Sequence, residues 1–246
     1  MYVNAPRYLL RKYCIMKLIK HLPPSDILDI GCGAGDLCQT LYEQGHRVHG
    51  IDYSQEAVQI CHQRLGSILK DNRIIIEQAN MMSLTKQYDL IIMCEVLEHI
   101  EDDKAAIEKI YQLLKKRGQL ILSVPANSSR FGPSDVAVGH YRRYNRNDLI
   151  RLLSQCNFYI ETIWSYGVPI ANITEWIRNI IYARSPMPNK EMGTKQSGIN
   201  RKIEYHFRGI LNDIVFFPFY WLQMAFVNTN LGSGLIIKAR KEPHNE

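Results

Sequence analysis

The run Asp29-Ile30-Gly31-Cys32-Gly33-Ala34-Gly35 holds the strongest chemical signal in the chain. Three glycines alternate directly after the apolar stretch Ile27-Leu28-Asp29-Ile30. Side chains at those positions would block a ligand, and glycine takes positive φ without steric cost. Asp52 ends the next apolar run, 23 residues after Asp29. A carboxylate there can accept both hydroxyl hydrogens of a ribose. The turn reads GxGxG, not GxGxxG, and no Gly-Lys-Ser/Thr follows, so a dinucleotide or a nucleoside triphosphate is less well supported. A tight strand-to-helix turn without ligand is the plain alternative for the glycines alone.

A second group lies at Cys94-Glu95-Val96-Leu97-Glu98-His99. Glu95, Glu98 and His99 have i, i+3, i+4 spacing, which would set them on one face of a helical turn. Two carboxylates and an imidazole converging there would bind a divalent cation. Hard oxygen ligands favour Mg²⁺; a second imidazole leaves room for Zn²⁺ or Mn²⁺. That second imidazole is His140, in Gly139-His140-Tyr141-Arg142-Arg143-Tyr144. Two other readings stand beside the metal: His140 as a general base without metal, or Glu98 as a cap or ion-pair partner while His99 packs. Arg142 and Arg143 would bind an anionic part of an acceptor, or form a solvated pair at a helix start.

These groups need elements to hold them. Apolar runs at 26–30, 47–51, 73–77, 88–93, 118–124, 158–164 and 234–240 read as strands. Helical spacing covers 7–20, 36–43, 103–114 and 147–155, and Ser54 is a fitting N-cap for a helix to Leu65. Strand and helix alternate, which implies a doubly wound, mostly parallel seven-stranded α/β sheet. Ligands bind such sheets at the carboxyl ends of the strands, where both groups fall. Residues 1–166 and 229–246 form the cofactor-binding domain in this reading. Residues 167–228 form an aromatic-rich helical cap inserted before the last strand, with a mobile polar loop at 184–202.

At 246 residues, 46% hydrophobic and 22% charged, a packed core is expected rather than disorder. The net charge of +6 is mild and the basic residues are scattered, so nucleic acid is not an expected partner. The six cysteines form no CxxC pair, which points to a reducing, cytoplasmic compartment. No signal peptide is visible, and no apolar run reaches the roughly 18 residues of a spanning helix.

Asp29-Ile-Gly-Cys-Gly-Ala-Gly resembles motif I of the class I S-adenosylmethionine-dependent methyltransferases. The resemblance extends over residues 25–160 through Gly50-Ile-Asp52-Tyr-Ser, Ala79-Asn80-Met81, Tyr88-Asp89-Leu-Ile-Ile-Met-Cys94 and Lys116-Arg-Gly-Gln-Leu-Ile-Leu. It implies S-adenosylmethionine as cofactor. Gly31 and Gly33 would let the backbone meet its methionine part, Asp29 would orient the turn or bind the amino group, and Asp52 would hold the ribose. Asn80 stands where the family commonly has Asp for the adenine amino group; an amide oxygen can accept the same hydrogen bond. Tyr53 and Met81 would sandwich adenine, and Cys94 closes the strand beside the cofactor. Glu-x-x-Glu-His with a later His is similar to the ubiquinone-biosynthesis O-methyltransferases and the small-RNA 2′-O-methyltransferases, both held to use a divalent metal at the acceptor hydroxyl.

The expectation is therefore an enzyme that methylates a hydroxyl on a small, apolar or lipid-like acceptor, with Glu98, His99 and His140 on the acceptor side. The aromatic cap would cover the acceptor, and Phe216-Phe-Pro-Phe-Tyr-Trp-Leu could rest in a membrane interface. An N-methyltransferase, an RNA 2′-O-methyltransferase and a non-catalytic cofactor-binding protein are the rivals.

Overall fold

The computed structural model describes residues 6–183 and 209–242. The expected loop at 184–202 lies outside them. The strands are β1 (Asp26–Ile30), β2 (Arg47–Asp52), β3 (Ile74–Gln78), β4 (Tyr88–Cys94), β5 (Leu114–Pro125), β6 (Phe158–Tyr166) and β7 (Gly234–Lys241). The helices are α1 (Pro6–Leu18), α2 (Asp36–Glu43), α3 (Gln55–Leu65), α4 (Asp103–Leu113), α5 (Pro133–Ala137), α6 (Arg146–Gln155), α7 (Ile170–Ala183) and α8 (Gly209–Met224). The seven strands form one sheet in the order β3-β2-β1-β4-β5-β7-β6, as the alternating pattern implied. The pairs β1–β2, β1–β4, β2–β3 and β4–β5 are parallel.

Two compact units divide the chain. The sheet unit comprises His21–Ser123, Asn147–Thr162 and the described residues of Ile237–Glu246; the cap unit comprises the described residues of Met1–Lys20, Val124–Arg146 and Ile163–Ile236. The boundaries thus differ from a cap confined to 167–228: α1 and the segment after β5 belong with the cap helices.

In the sheet unit, β1 and β4 are buried on both faces, with Ile27, Leu28, Leu90, Ile91 and Ile92 fully inaccessible. That explains their unbroken apolar runs. The cap anticipated at Ser54 forms, its Oγ accepting from Ala57 N at 3.3 Å, and Asp102 Oδ1 caps α4 by accepting from Ala105 N at 2.9 Å. The strand order reverses beside β1, whose neighbours are β2 and β4, so crossovers leave in opposite directions and a crevice opens beyond its carboxyl end. At the other end of these strands Lys115 Nζ donates to Asp89 at 2.9 Å and to Asp26 at 3.2 Å, tying β1, β4 and β5 together away from the ligand edge.

In the cap unit, Leu9 and Leu10 of α1 pack with Ala171 of α7 and Tyr220 of α8, and Tyr13 stacks on Tyr220 with centroids 4.8 Å apart. Gln223 is fully buried and satisfied at both ends: its Nε2 donates to Leu10 O (3.1 Å) and its Oε1 accepts from Gly167 N (3.3 Å). These bonds explain why the N-terminal helix joins the cap. Among the described residues no helix is long and apolar enough to cross a membrane.

Gly50 shows how tightly β2 fits beneath the glycine turn. A Cβ there would lie 2.6 Å from Ile76 Cδ1, 2.8 Å from Cys38 Sγ and 3.2 Å from Cys32 Cβ. Gly50→Ala should therefore destabilise the fold by about 1–3 kcal/mol through overpacking. Urea unfolding with an unchanged midpoint would contradict it.

Candidate active site

The turn after β1 is built from backbone. Gly31, Gly33 and Gly35 have φ of 75°, 54° and 74°, the left-handed region that glycine enters without penalty. Gly31 N and Cys32 N donate to Ile51 O at 2.8 and 3.0 Å, and Gly35 N donates to Cys32 O at 2.9 Å. A Cβ on Gly31 would collide with Val96 Cγ2, whereas one on Gly33 would meet nothing within 4 Å. Gly31 is thus required by packing, and Gly33 faces open space.

Asp52 joins two turns. Its Oδ2 accepts from Gly33 N at 2.9 Å and its Oδ1 from Ser54 N at 2.8 Å. Each oxygen keeps a further lone pair, so the carboxylate is oriented yet able to accept from a ligand. Asp29 is only 3% exposed, and Cys38 Sγ donates to its Oδ2 at 3.2 Å. The Cys32 hydrogen bond pulls the Cys38 thiol pKa down, but burial and the Asp29 charge outweigh it and push it up to about 12. The thiol stays protonated and donates. Asp29 is thus tied to the first turn of α2.

The residues expected on the adenine side differ in exposure. Asn80 is exposed and caps a 3-10 turn, Met81–Ser83, its Oδ1 accepting from Met82 N at 2.9 Å. Met81, expected to sandwich a base, is buried at 7% exposure, while Met82 is exposed at 49%. Tyr53 is the open aromatic, at 72%. Cys94 ends β4, half-buried.

After β4, Glu95 departs from expectation. It lies in the left-handed region, with φ 56°, and its Oε1 accepts from Ser123 Oγ at 3.4 Å. The helical turn begins only at Leu97 and covers Leu97–His99. Glu95 thus does not share a helical face with Glu98 and His99, because the backbone reverses hand between them. Glu98 has no exposed surface and His99 is half-buried. These three belong to the sheet unit; His140 belongs to the cap unit.

Within the cap unit His140 Nδ1 lies 2.8 Å from Asp135 Oδ1, and His140 N donates to Asp135 O at 3.0 Å. Arg143 is buried, its guanidinium bonded to Asp135 through Nε (2.9 Å to both oxygens) and to Glu175 through an Nη. The expectation that Arg143 meets an anionic acceptor group is corrected: two carboxylates of its own chain already occupy it. Arg142 instead lies over the Tyr141 ring, 5.9 Å from its centroid.

Residues 7–163 match the family described as a methyltransferase domain. That span is well over half the chain and includes the glycine turn and Asp52. The chain belongs to this family and is an S-adenosylmethionine-dependent methyltransferase. The ubiquinone biosynthesis O-methyltransferase of Pseudomonas aeruginosa (strain UCBPP-PA14) is 34% identical over 99 residues, 39% of this chain and 43% of that protein. The match thus spans less than half the length of that curated relative. Two solved structures share the fold. A methyltransferase from Mesorhizobium loti has TM-score 0.61 at 16% identity, covering 96% of this chain and 98% of that one. A magnesium protoporphyrin IX methyltransferase from Synechocystis has TM-score 0.59 at 16% identity, covering 98% and 90%.

For this methyltransferase, sequence reasoning missed Asp135 and Glu175. Neither carries a motif, and the one available signal was a lone acidic residue in Gly132-Pro133-Ser134-Asp135, five residues before His140.

Asp52 is the side chain whose loss should cost the cofactor most. Asp52→Ala removes charge-assisted hydrogen bonds contributing about 1.5–3 kcal/mol, and frees Gly33 from its anchor. Calorimetry should show affinity for S-adenosylmethionine and its demethylated product falling roughly 10- to 150-fold. Unchanged affinity would remove Asp52 from the site.

Proposed function

We propose that this methyltransferase transfers its methyl group to a hydroxyl oxygen of a small, apolar or lipid-like acceptor. The observation that carries the reading is an imidazole held by a carboxylate, His140 on Asp135. The sulfonium is already a good leaving group, so transfer needs alignment more than acid-base help. A hydroxyl nevertheless sheds a proton, whereas a neutral amine attacks with an existing lone pair; a placed base suits oxygen. The likeness to ubiquinone biosynthesis O-methyltransferases over 99 residues supports the same choice.

Glu98 fits a cation. A carboxylate with no exposed surface is stable only when protonated, paired or bound to metal. The donors proposed for a divalent metal in the sheet unit are Glu98 and His99, a carboxylate and an imidazole. Such a cation would act as a Lewis acid on the acceptor hydroxyl. In the cap unit His140 serves as the group that takes the proton.

Incubation with methyl-labelled S-adenosylmethionine and lipid extracts should yield a labelled methyl ether, identified by mass spectrometry. An N-methylated product would overturn the oxygen reading. His140→Ala should lower kcat by about 10²–10⁴-fold with cofactor affinity intact. Excess chelator should stop transfer in the same way; full activity with chelator, and no metal by elemental analysis, leaves His140 as base alone.

The cap also supports contact with a lipid surface. Ile173, Trp176, Ile177 and Ile181 of α7 and Phe217, Trp221 and Leu222 of α8 are exposed, the two tryptophans at 66% and 69%. Exposed indoles suit the headgroup region. The protein should co-sediment with anionic vesicles, and Trp176→Ser with Trp221→Ser should reduce the bound fraction. Equal sedimentation of parent and double variant would dismiss the surface.

A further inference from the structure

We propose that Asp135, Arg143 and Glu175 form a clamp that fixes the ring of His140 in one orientation and one tautomer, with cap helix α7 entering the clamp through Glu175. The inference rests on His140 being the acceptor-side imidazole.

The carboxylate of Asp135 is at the centre. Its Oδ1 faces His140 Nδ1 at 2.8 Å and Arg143 Nε at 2.9 Å. Its Oδ2 accepts from Gly132 N (2.9 Å), Arg143 Nε (2.9 Å) and an Arg143 Nη (2.7 Å). A guanidinium that does not lose its proton forks onto both oxygens and a backbone N–H is aimed at one of them, so the group is held as an ionised carboxylate. An ionised carboxylate only accepts, so the ring nitrogen that faces it must carry the hydrogen. Nδ1 is then N–H, and Nε2 carries the lone pair. That is the nitrogen either role needs, whether to take a proton or to bind a cation.

The second half of the clamp comes from α7. Arg143 is held on its far side by Glu175 Oε1, and the side chains of Asp135, Arg143 and Glu175 are 2%, 1% and 6% exposed. Asn179, one turn further along α7, accepts from Ser134 N at 3.1 Å through Oδ1. The segment that carries His140 is therefore braced against α7 at two points. Stability alone is a poor reason for this design. Buried ion pairs are often no better than apolar packing, and Glu175 Oε2 is buried with no hydrogen bond among the described residues. A network that over-determines one imidazole ring gives the expense a purpose, since supporting groups lock functional rotamers.

Ring tautomers can be read directly by long-range hydrogen–nitrogen correlation on the full-length protein labelled with nitrogen-15, saturated with demethylated cofactor. His140→Gln assigns the signal by its loss. The parent should show His140 protonated at Nδ1; protonation at Nε2 would overturn the clamp. Asp135→Asn places an NH₂ at one of the two oxygen positions. At the Oδ2 position it would face three donors, Gly132 N–H and Arg143 Nε and Nη, against Arg143 Nε alone at the Oδ1 position; it therefore takes the place beside His140, and the ring proton should move to Nε2. An unchanged tautomer in that variant would also overturn the proposal. Glu175→Gln is the milder second variant, and it serves if Asp135→Asn does not fold. It should leave the tautomer in place while speeding solvent exchange of the Nδ1 proton at least ~10-fold, as a loosened brace allows. Exchange as slow as in the parent would remove α7 from the clamp. None of these signals requires turnover. Full methyl transfer by His140→Ala would thus reject the acceptor-side reading of His140, while the tautomer decides the clamp separately.

Discussion

The geometry of the cofactor side depends on one carboxylate shared by two turns. Asp52 ends β2 and accepts one backbone N–H from the turn after β1 and one from the start of α3. Each strand must deliver its C-terminal residue to the same point, and the chain must then leave in two directions. Gly33 can aim its N–H at Asp52 only because it occupies the left-handed region, where a Cβ would be strained. Ser54 gives its N–H to Asp52 and its hydroxyl to the cap of α3, so the position of Asp52 also sets where that helix begins. Behind this arrangement Cys38, Asp29 and Gly50 fill the space with small or short side chains. The open side is left to backbone and one oriented carboxylate.

The cap unit is organised differently, around charge rather than glycine. Three ionisable groups are almost wholly removed from water at Asp135, Arg143 and Glu175. Desolvating them costs several kcal/mol per ion before any pairing. The guanidinium reconciles the two carboxylates, and its planar fork permits contact with both. Asp135 stays charged because hydrogen bonds to its ionised form outweigh its burial. Asp135 is the third residue of the short helix Pro133–Ala137 and secures its start, its Oδ2 accepting from Gly132 N. Local structure and long-range pairing thus converge on a single side chain.

Much of the sheet unit was legible because its signals are local. Strand runs, the glycine turn, the Ser54 cap and the end of β2 at Asp52 are all written within a few residues of where they act. What escaped reading was non-local or depended on hand. The i, i+3, i+4 spacing of Glu95, Glu98 and His99 assumed continuous right-handed helix, but φ is 56° at Glu95. Met81 and Met82 are equivalent in sequence, and the direction of one 3-10 turn decides which is exposed. Arg143 reads as an anion-binding arginine until Glu175, 32 residues later, is brought against it. Nothing in α1 announces that Leu10 O will accept from Gln223, 213 residues away.

Helix α7 inverts the usual pattern of a surface helix, and the inversion links the two features of the cap. An amphipathic helix ordinarily turns apolar residues inward and charge outward. Here Glu175 is buried at 5% exposure, while Ile173, Trp176, Ile177 and Ile181 are exposed. Adjacent residues, Glu175 and Trp176, therefore sit on the wrong sides for a helix that merely packs. The inward carboxylate is explained by Arg143, which needs a second anion once it is buried with Asp135. The outward apolar residues have no such counterpart among the side chains named here, and they are the reason the lipid-surface test is aimed at this helix. The fold itself serves many chemistries, and the glycine turn with Asp52 answers only for the cofactor. The inverted helix and the held imidazole lie in the same unit, and packing alone requires neither.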